Sequence, residues 1–255
     1  MPVNRKLNAQ PITEAVAPPW VCPTCSAGMF RLDADALKFA MSSHSARAAG
    51  EEWFGPEHVE YKFSALLKCD NPACKEVASI AGRGELETIP DERMQHEEYE
   101  ARFFPTYFSP SPVLISIPPR CPDEVREQLN AAFVSSWGEY PAAANRIRVA
   151  AELLLDALRV PKTAAVQNKG RRRRSLHERI NALPARHAPV KNSMLAIKWL
   201  GNHGTHEADM SQHAVYDALD IFESVLEELY SEHPRRIEQL VRAVNQRRGP
   251  VRAAR

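Results

Sequence analysis

The sequence VCPTC at residues 21–25 and the sequence KCDNPAC at residues 68–74 each place two cysteines in a short turn that contains proline. Zinc prefers four soft or borderline ligands at the corners of a tetrahedron, and two such turns can supply four thiolates. The first pair has the favoured spacing of two residues, and the second has a wider spacing of four. We therefore predict a closed, structural zinc site made by Cys22, Cys25, Cys69 and Cys74.

Other interpretations of these cysteines are weaker. Unrelated buried cysteines are not expected to occur as two pairs with turn-forming prolines. A redox CxxC is disfavoured because no thioredoxin-like βαβ pattern surrounds Cys22.

Alternating apolar residues from Val59 to Leu67 predict a strand that leads into the second pair. The segment from Asp33 to Gly50 has helical composition and is interpreted as an insertion in a zinc ribbon.

From Cys121 onward, apolar residues recur at helical spacing. Helices are predicted from about Pro122, from Pro141 to Val160, and from Leu176 to Leu183, with a loop over residues 161–174. Further helices are predicted from about Val190 and from Ser211, and a last one after Pro234. The predicted fold class is mainly α: a helical bundle that follows a small β zinc ribbon.

The predicted organisation has five parts, and a density of prolines and aromatic residues marks the middle one as a connector. The parts are a flexible lead-in (1–19), a zinc ribbon with an insertion (20–90), a connector (91–120), a helical bundle (121–232) and a basic helix or tail (233–255).

The net charge of +1 hides an asymmetry between the two halves of the 255-residue chain. Residues 1–120 carry a net charge of −4 and residues 121–255 a net charge of +5, so the C-terminal half is the better partner for an anion such as a nucleic acid. The N-terminus lacks the apolar core of a signal peptide, and no segment approaches the roughly 18 apolar residues of a membrane span. We therefore expect a cytoplasmic protein with no membrane partner.

Three polar residues on one predicted helix, Lys198, Asn202 and His206, are spaced by four and would share one face. A cation, an amide and an imidazole suit phosphate chemistry, because they can neutralise charge, hydrogen-bond an oxygen and transfer a proton. The alternative is that Gly201 and Asn202 cap the helix and that His206 bonds to the start of the next one. Spacing alone favours this alternative.

Two further groups of charged residues stand out. Arg148, Glu152 and Asp156 form one polar stripe on an otherwise apolar helix, and Arg148 and Glu152 could form a buried salt bridge that fixes helix register. The cationic run consists of Lys169, Arg171, Arg172, Arg173 and Arg174. By electrostatics this run is the best candidate for contacts with phosphates, although charge runs are also typical of solvated loops.

Four runs resemble a bacterial family of unknown function that is related to the HEPN superfamily of helical nucleotide-binding and ribonuclease domains. They are FFPTYFSPSP (103–112), IPP (117–119), GEYPAAANRIRVAAELLL (138–155) and IKWLGNHGTH (197–206). The resemblance covers roughly residues 95–230. It implies a helical bundle that often follows a cysteine ribbon and that occurs with restriction and other phage-defence systems.

Active members of that superfamily use an arginine and a histidine four to six residues apart, which meet those of a second subunit and cut RNA without metal. By this resemblance His206 would be the proton-transfer residue. No arginine stands at the matching positions, so Lys198 and Asn202 would hold the phosphate, with Arg148 and Glu152 as further candidates. The resemblance thus implies a homodimer that engages RNA or a nucleotide, with a possible defence-system protein as partner, and, if it is an enzyme, a metal-independent endoribonuclease. The alternative is a non-catalytic helical adaptor with a structural zinc ribbon.

Overall fold

The computed structural model describes residues 2–89, 98–166, 170–206, 210–231 and 233–249. They form an antiparallel sheet and a group of helices, each with its own hydrophobic core. The sheet contains β1 (Phe30–Leu32), β2 (Lys38–Met41), β3 (Glu60–Cys69), β4 (Val77–Ile89) and β5 (Glu98–Ser109), and a separate hairpin contains β6 (Thr163–Val166) and β7 (Gly170–Arg173). The helices are α1 (Arg5–Asn8), α2 (Ser43–Ala48), α3 (Asp123–Ser135), α4 (Tyr140–Ala157), α5 (Leu176–Asn181), α6 (Lys191–His206), α7 (Gln212–Tyr230) and α8 (His233–Arg247).

Strand β3 organises the curled sheet. It pairs with β1 and β2 along one edge and with β4 along the other, and β5 follows β4. Phe63, Ala65, Leu67 and Cys69 of β3 are buried, whereas the residues between them are exposed. This period of two is the alternation expected of a strand with one face on a core. The strand predicted from Val59 to Leu67 is therefore confirmed.

The prediction of a mainly α fold is wrong, because β3, β4 and β5 are 10, 13 and 12 residues long and form a substantial sheet. The connector predicted for residues 91–120 instead contains β5. Prolines weaken the strand signal in the sequence of β5. Pro105 lies opposite Gly82, beside the point where the register of β4 and β5 shifts. A proline is tolerated at such an irregularity near a sheet edge, because the ladder there can lack one donor. The segment from Asp33 to Gly50, predicted to be a helical insertion, contains a 3-10 turn, strand β2 and the short helix α2.

The helices predicted after Cys121 are present, and α4 lies among α3, α6 and α7. Its buried face includes Ile147, Ala151 and Leu154. The loop predicted for residues 161–174 instead contains the hairpin of β6 and β7, in which three residues pair with arginines of the run and Val166 pairs with Gly170. None of the described helices combines the length and the apolar composition that crossing a bilayer requires.

The N-terminal segment, predicted to be a flexible lead-in, packs onto both parts of the molecule. Val3 is buried among the helices, and its N–H donates to Asp220 at 2.7 Å. The guanidinium of Arg5 bonds to Asp217 and Asp220, both at 2.6 Å. Further along, Ile12 exchanges two 2.8 Å backbone hydrogen bonds with Phe103 of β5. A polar, proline-containing segment lacks a local folding signal, and these distant partners order it.

An aromatic cluster joins the sheet to the helices. Trp137, which follows α3, is buried in the core of the sheet, where its ring centroid lies 5.0 Å from that of Phe108 and 5.5 Å from that of Trp20. The indole N–H of Trp137 donates to Ser111 Oγ at 3.0 Å, so burial leaves no polar atom of this ring unpaired. A side chain of the helical part thus completes the core of the other part.

We expect Trp137→Ala to lower the free energy of unfolding by about 3–5 kcal/mol, because it removes this shared ring and leaves a cavity. Urea unfolding followed by circular dichroism would measure the loss. Trp53→Ala is the control, since Trp53 is 56% exposed and its loss should cost less than about 0.5 kcal/mol. Equal midpoints for the Trp137→Ala variant and the unaltered protein would show that the cluster does not couple the two parts.

Candidate metal centre and cationic cleft

The four cysteines of the two pairs meet at one end of the sheet. Cys22 and Cys25 precede β1, Cys69 ends β3, and Cys74 lies in the turn before β4. Their sulfur atoms all lie within 4.8 Å of one another, with 3.8 Å between Cys22 and Cys74 and 3.7 Å between Cys25 and Cys69. A tetrahedron with zinc–sulfur bonds of about 2.3 Å has sulfur–sulfur edges of about 3.8 Å. The cluster can therefore bind a metal ion such as zinc.

The backbone around the two cysteine pairs follows the same path. Ser26 and Lys75, which directly follow the second cysteine of each pair, have φ values of 53° and 55°. The Ser26 N–H donates to the Cys22 carbonyl at 2.9 Å, and the Lys75 N–H donates to the Asn71 carbonyl at 3.2 Å. A Cβ on Gly28 would lie 2.5 Å from the Cys69 sulfur, so a glycine is required where the chain closes around the cluster.

The thiols differ in their electrostatic surroundings. Backbone N–H groups of Ala27 and Gly28 lower the pKa of the Cys25 thiol to about 6. Desolvation raises the pKa of the Cys69 thiol to about 12. Because a metal binds the thiolate form, metal binding at this cluster would release protons.

A second site lies in the helical part, where α4, α5 and the β6–β7 hairpin surround a cleft of about 440 Å³. Six cationic and three acidic side chains line it, which leaves a net charge of +3. The cationic residues are Arg148, Lys162, Arg172, Arg173, Arg174 and Arg179, and the acidic residues are Glu152, Asp156 and Glu178. Two groups that the sequence presents separately, the α4 stripe and the arginine run, thus line the same cavity.

The polar stripe of α4 forms one wall of the cleft. Arg148 Nη2 lies 3.0 Å from Glu152 Oε1, so these two candidate catalytic residues form an ion pair across one helical turn. Asp156 continues the stripe one turn later and pairs with Lys162 at 2.8 Å. The stripe therefore lines a cavity, and its carboxylates hold the cations of neighbouring elements in place.

Arg179 on α5 is a site residue that the sequence reasoning missed. Its side chain is only 6% exposed, and it lies 2.6 Å from Asp156 Oδ1. It also donates to the main-chain carbonyls of Glu152 and Val160 at 3.3 and 3.2 Å. The sequence does contain a signal for this residue. Arg179 lies three residues after Leu176 and beside Ile180, on the apolar side of a short helix. A charge in that position needs a buried partner.

The arginines of the run differ in whether they have a close carboxylate partner. Arg172 pairs with Glu178, which also caps α5 through Ser175, and mainly because of Arg172 the pKa of Glu178 falls to about 2. Arg173 is 84% exposed, and its ion pair with Glu152 is long, at 3.9 Å. Arg174 lines the cleft, and within the described part of the chain its guanidinium has no ion-pair partner.

Arg171 is the one described arginine of the run that does not line the cleft. Arg171 donates to Thr163 Oγ1 at 3.0 Å outside the cavity. Lys169, the other residue predicted to contact phosphates, lies outside the described residues. Of the described residues of the run, Arg172, Arg173 and Arg174 line the cleft.

Helix α6 continues through Asn202 to His206, so the alternative in which Gly201 and Asn202 end the helix is wrong. Lys198, Asn202 and His206 therefore do recur at intervals of four along one helix, although the side chains of the last two lie outside the described part. The Lys198 ammonium lies 3.2 Å from the ring centroid of Trp199. At Gly201 the helix crosses α4 closely, since a Cβ there would lie 3.2 Å from that of Arg148. The helix thus passes beside the cleft.

Comparison with known families divides the chain along the same lines as its two cores. Residues 10–108 match the model of a domain of unknown function (DUF8608), and residues 130–247 match that of another domain of unknown function (DUF4145). Neither match extends over half of the chain. No curated protein and no solved structure matches it. The chain is thus similar to one family over the sheet with its cysteines and to another over the helices with the cationic cleft.

We expect Asp156→Ala to lower the free energy of unfolding by about 3 kcal/mol, because the nearly buried guanidinium of Arg179 would lose its carboxylate partner. Lys162→Ala is the matched control: it removes the other partner of Asp156, but an exposed ion pair contributes less than about 1 kcal/mol. Chemical unfolding of both variants would measure the difference. Similar losses for the two variants would contradict a structural role for the Arg179–Asp156 pair.

Proposed function

We propose that this protein binds RNA through phosphate contacts in the cationic cleft, as a HEPN-like module of a bacterial defence or stress system. The observation that carries the proposal is the division of the cleft cations. Arg148, Lys162, Arg172 and Arg179 each have a carboxylate partner within 3.0 Å. Arg173 and Arg174 do not, and they provide two of the three surplus positive charges of the cavity.

Guanidinium groups suit this role because their planar forks can donate two hydrogen bonds to one phosphate. The paired cations are held by α4 and α5, so the cavity wall is organised before an anion arrives. A cavity of about 440 Å³ lies in the size range of sites that enclose small ligands. It suits a short section of a single strand better than the full width of a duplex.

We test this with a fluorescently labelled single-stranded RNA of about 12 nucleotides. Arg173→Ala and Arg174→Ala should each weaken binding roughly tenfold and lower the slope of log K against log salt by about 0.7–1, the effect of one lost phosphate contact. Fluorescence anisotropy at several salt concentrations would measure both quantities. Arg171→Ala is the matched control, because it removes the same charge from the same hairpin outside the cleft and should have a much smaller effect.

Two results would contradict RNA binding at this site. One is an absence of binding by the unaltered protein, which would favour the non-catalytic adaptor. The other is an equal loss for Arg171→Ala and Arg173→Ala, which would mean that only the overall charge matters. The homodimer and a defence-system partner remain predictions of the resemblance.

The same RNA decides whether binding leads to cleavage. In the catalytic version of the proposal His206 transfers a proton, and Lys198 and Asn202 hold the scissile phosphate beside Arg148 and Glu152. The passage of α6 beside the cleft at Gly201 supports this arrangement. Incubation in EDTA should show cleavage by the unaltered protein and its loss in His206→Ala. Equal cleavage by both proteins, or none by either, would remove the ribonuclease assignment.

For the cysteine cluster we propose a structural zinc ion. Four thiolates would complete a tetrahedral shell and leave no open position for a substrate. The ion would tie the two cysteine turns together at the end of β3.

Cys74→Ser should therefore lower the zinc content of the purified protein from one ion per chain to near zero, as measured by elemental analysis. It should also lower the thermal midpoint, because zinc binding contributes to folding. Cys121→Ser is the control, since Cys121 is buried in the other core and does not belong to the cluster. Retention of a full equivalent of zinc in Cys74→Ser would exclude the four-cysteine site.

A further inference from the structure

Trp199 is a large aromatic residue that the fold leaves 59% exposed on α6. An exposed tryptophan buries little apolar surface within the fold, so its ring is accessible to another molecule. Trp53 is similarly exposed, at 56%, but it packs against Phe54 and His58 in the sheet part. The surroundings of Trp199 are different, because they are cationic and adjoin the cleft.

The position of Trp199 follows from its contact with α5. Its ring centroid lies 6.3 Å from that of His177, which is exposed. Leu176 and Glu178, the residues on either side of His177, both line the cleft. Trp199 therefore contacts, through His177, the helix α5 that forms one wall of the cavity.

The chemistry of this position combines an aromatic ring with positive charge. The Lys198 ammonium lies over one face of the Trp199 ring, 3.2 Å from its centroid, so a base would stack on the opposite face. Sites for single-stranded nucleic acids have this composition: a positive groove follows the backbone, and aromatic rings next to it stack on the bases. Here Arg173 and Arg174 provide the positive charge of the groove, and Trp199 provides the aromatic ring.

We propose that Trp199 stacks on an unpaired base of a single strand whose phosphates occupy the cationic cleft. This inference rests on the RNA binding proposed above and adds a preference for unpaired strands, since the bases of a duplex are already stacked on one another. It gives Lys198 a role in binding, as the cation that accompanies the stacked base. The competing occupant of Trp199 is a second copy of this chain.

The test uses three probes of about 12 nucleotides: a single-stranded oligoadenylate, a duplex of the same length, and an abasic ribose-phosphate strand. Trp199→Ala should weaken binding to the oligoadenylate about tenfold, change binding to the abasic strand less than about twofold, and leave the salt slope unaltered. Trp199→Phe should retain most of the affinity. Trp53→Ala, an equally exposed tryptophan elsewhere, should have no effect.

The outcomes separate this inference from the proposed function. Binding that depends on Arg173 and Arg174 but is unaffected by Trp199→Ala would overturn the stacking role alone. An absence of RNA binding by the unaltered protein would overturn both proposals. Sedimentation measurements test whether a second copy of the chain contacts Trp199. A change of oligomeric state in Trp199→Ala with unchanged affinity for RNA would show that the ring contacts a second copy instead.

Discussion

The ion pair between Arg179 and Asp156 is the interaction on which the cationic cleft depends. Arg179 is held inside the helical part by this carboxylate and by two main-chain carbonyls, so α5 is tied to the end of α4. With α5 fixed in this way, Glu178 is positioned to pair with Arg172 and thereby to hold the hairpin. The acidic residues of the cleft thus support its walls, while the surplus charge stays available to an anion.

Much of the helical part and of the cysteine cluster could be predicted from the sequence, because their signals are local. The four cysteines lie in two short turns, and the stripe of Arg148, Glu152 and Asp156 follows from one helical period. The convergence of this stripe with the arginine run could not be predicted in the same way. It depends on a hairpin and on Arg179, whose partner lies 23 residues away along the chain.

The sheet was harder to predict, for a physical reason. Strand β5 contains Pro105 and runs into Pro110, and prolines at this density resemble a connector when only the local sequence is considered. What makes the segment a strand is its pairing with β4 over almost its whole length. Similarly, the polar residues around Arg5 take their order from α7, more than 200 residues later. Tertiary contacts decide the structure of both segments.

The N-terminal contact has a consequence for the order in which the protein assembles. During synthesis the residues around Val3 and Arg5 emerge before their partners, because Asp217 and Asp220 follow them by more than 200 residues. The sheet with its cysteines can form in the meantime, because domains generally fold as units from the N-terminus onward. The segment around Val3 and Arg5 therefore stays undocked until α7 has been made, and its attachment then joins two segments that lie far apart along the chain.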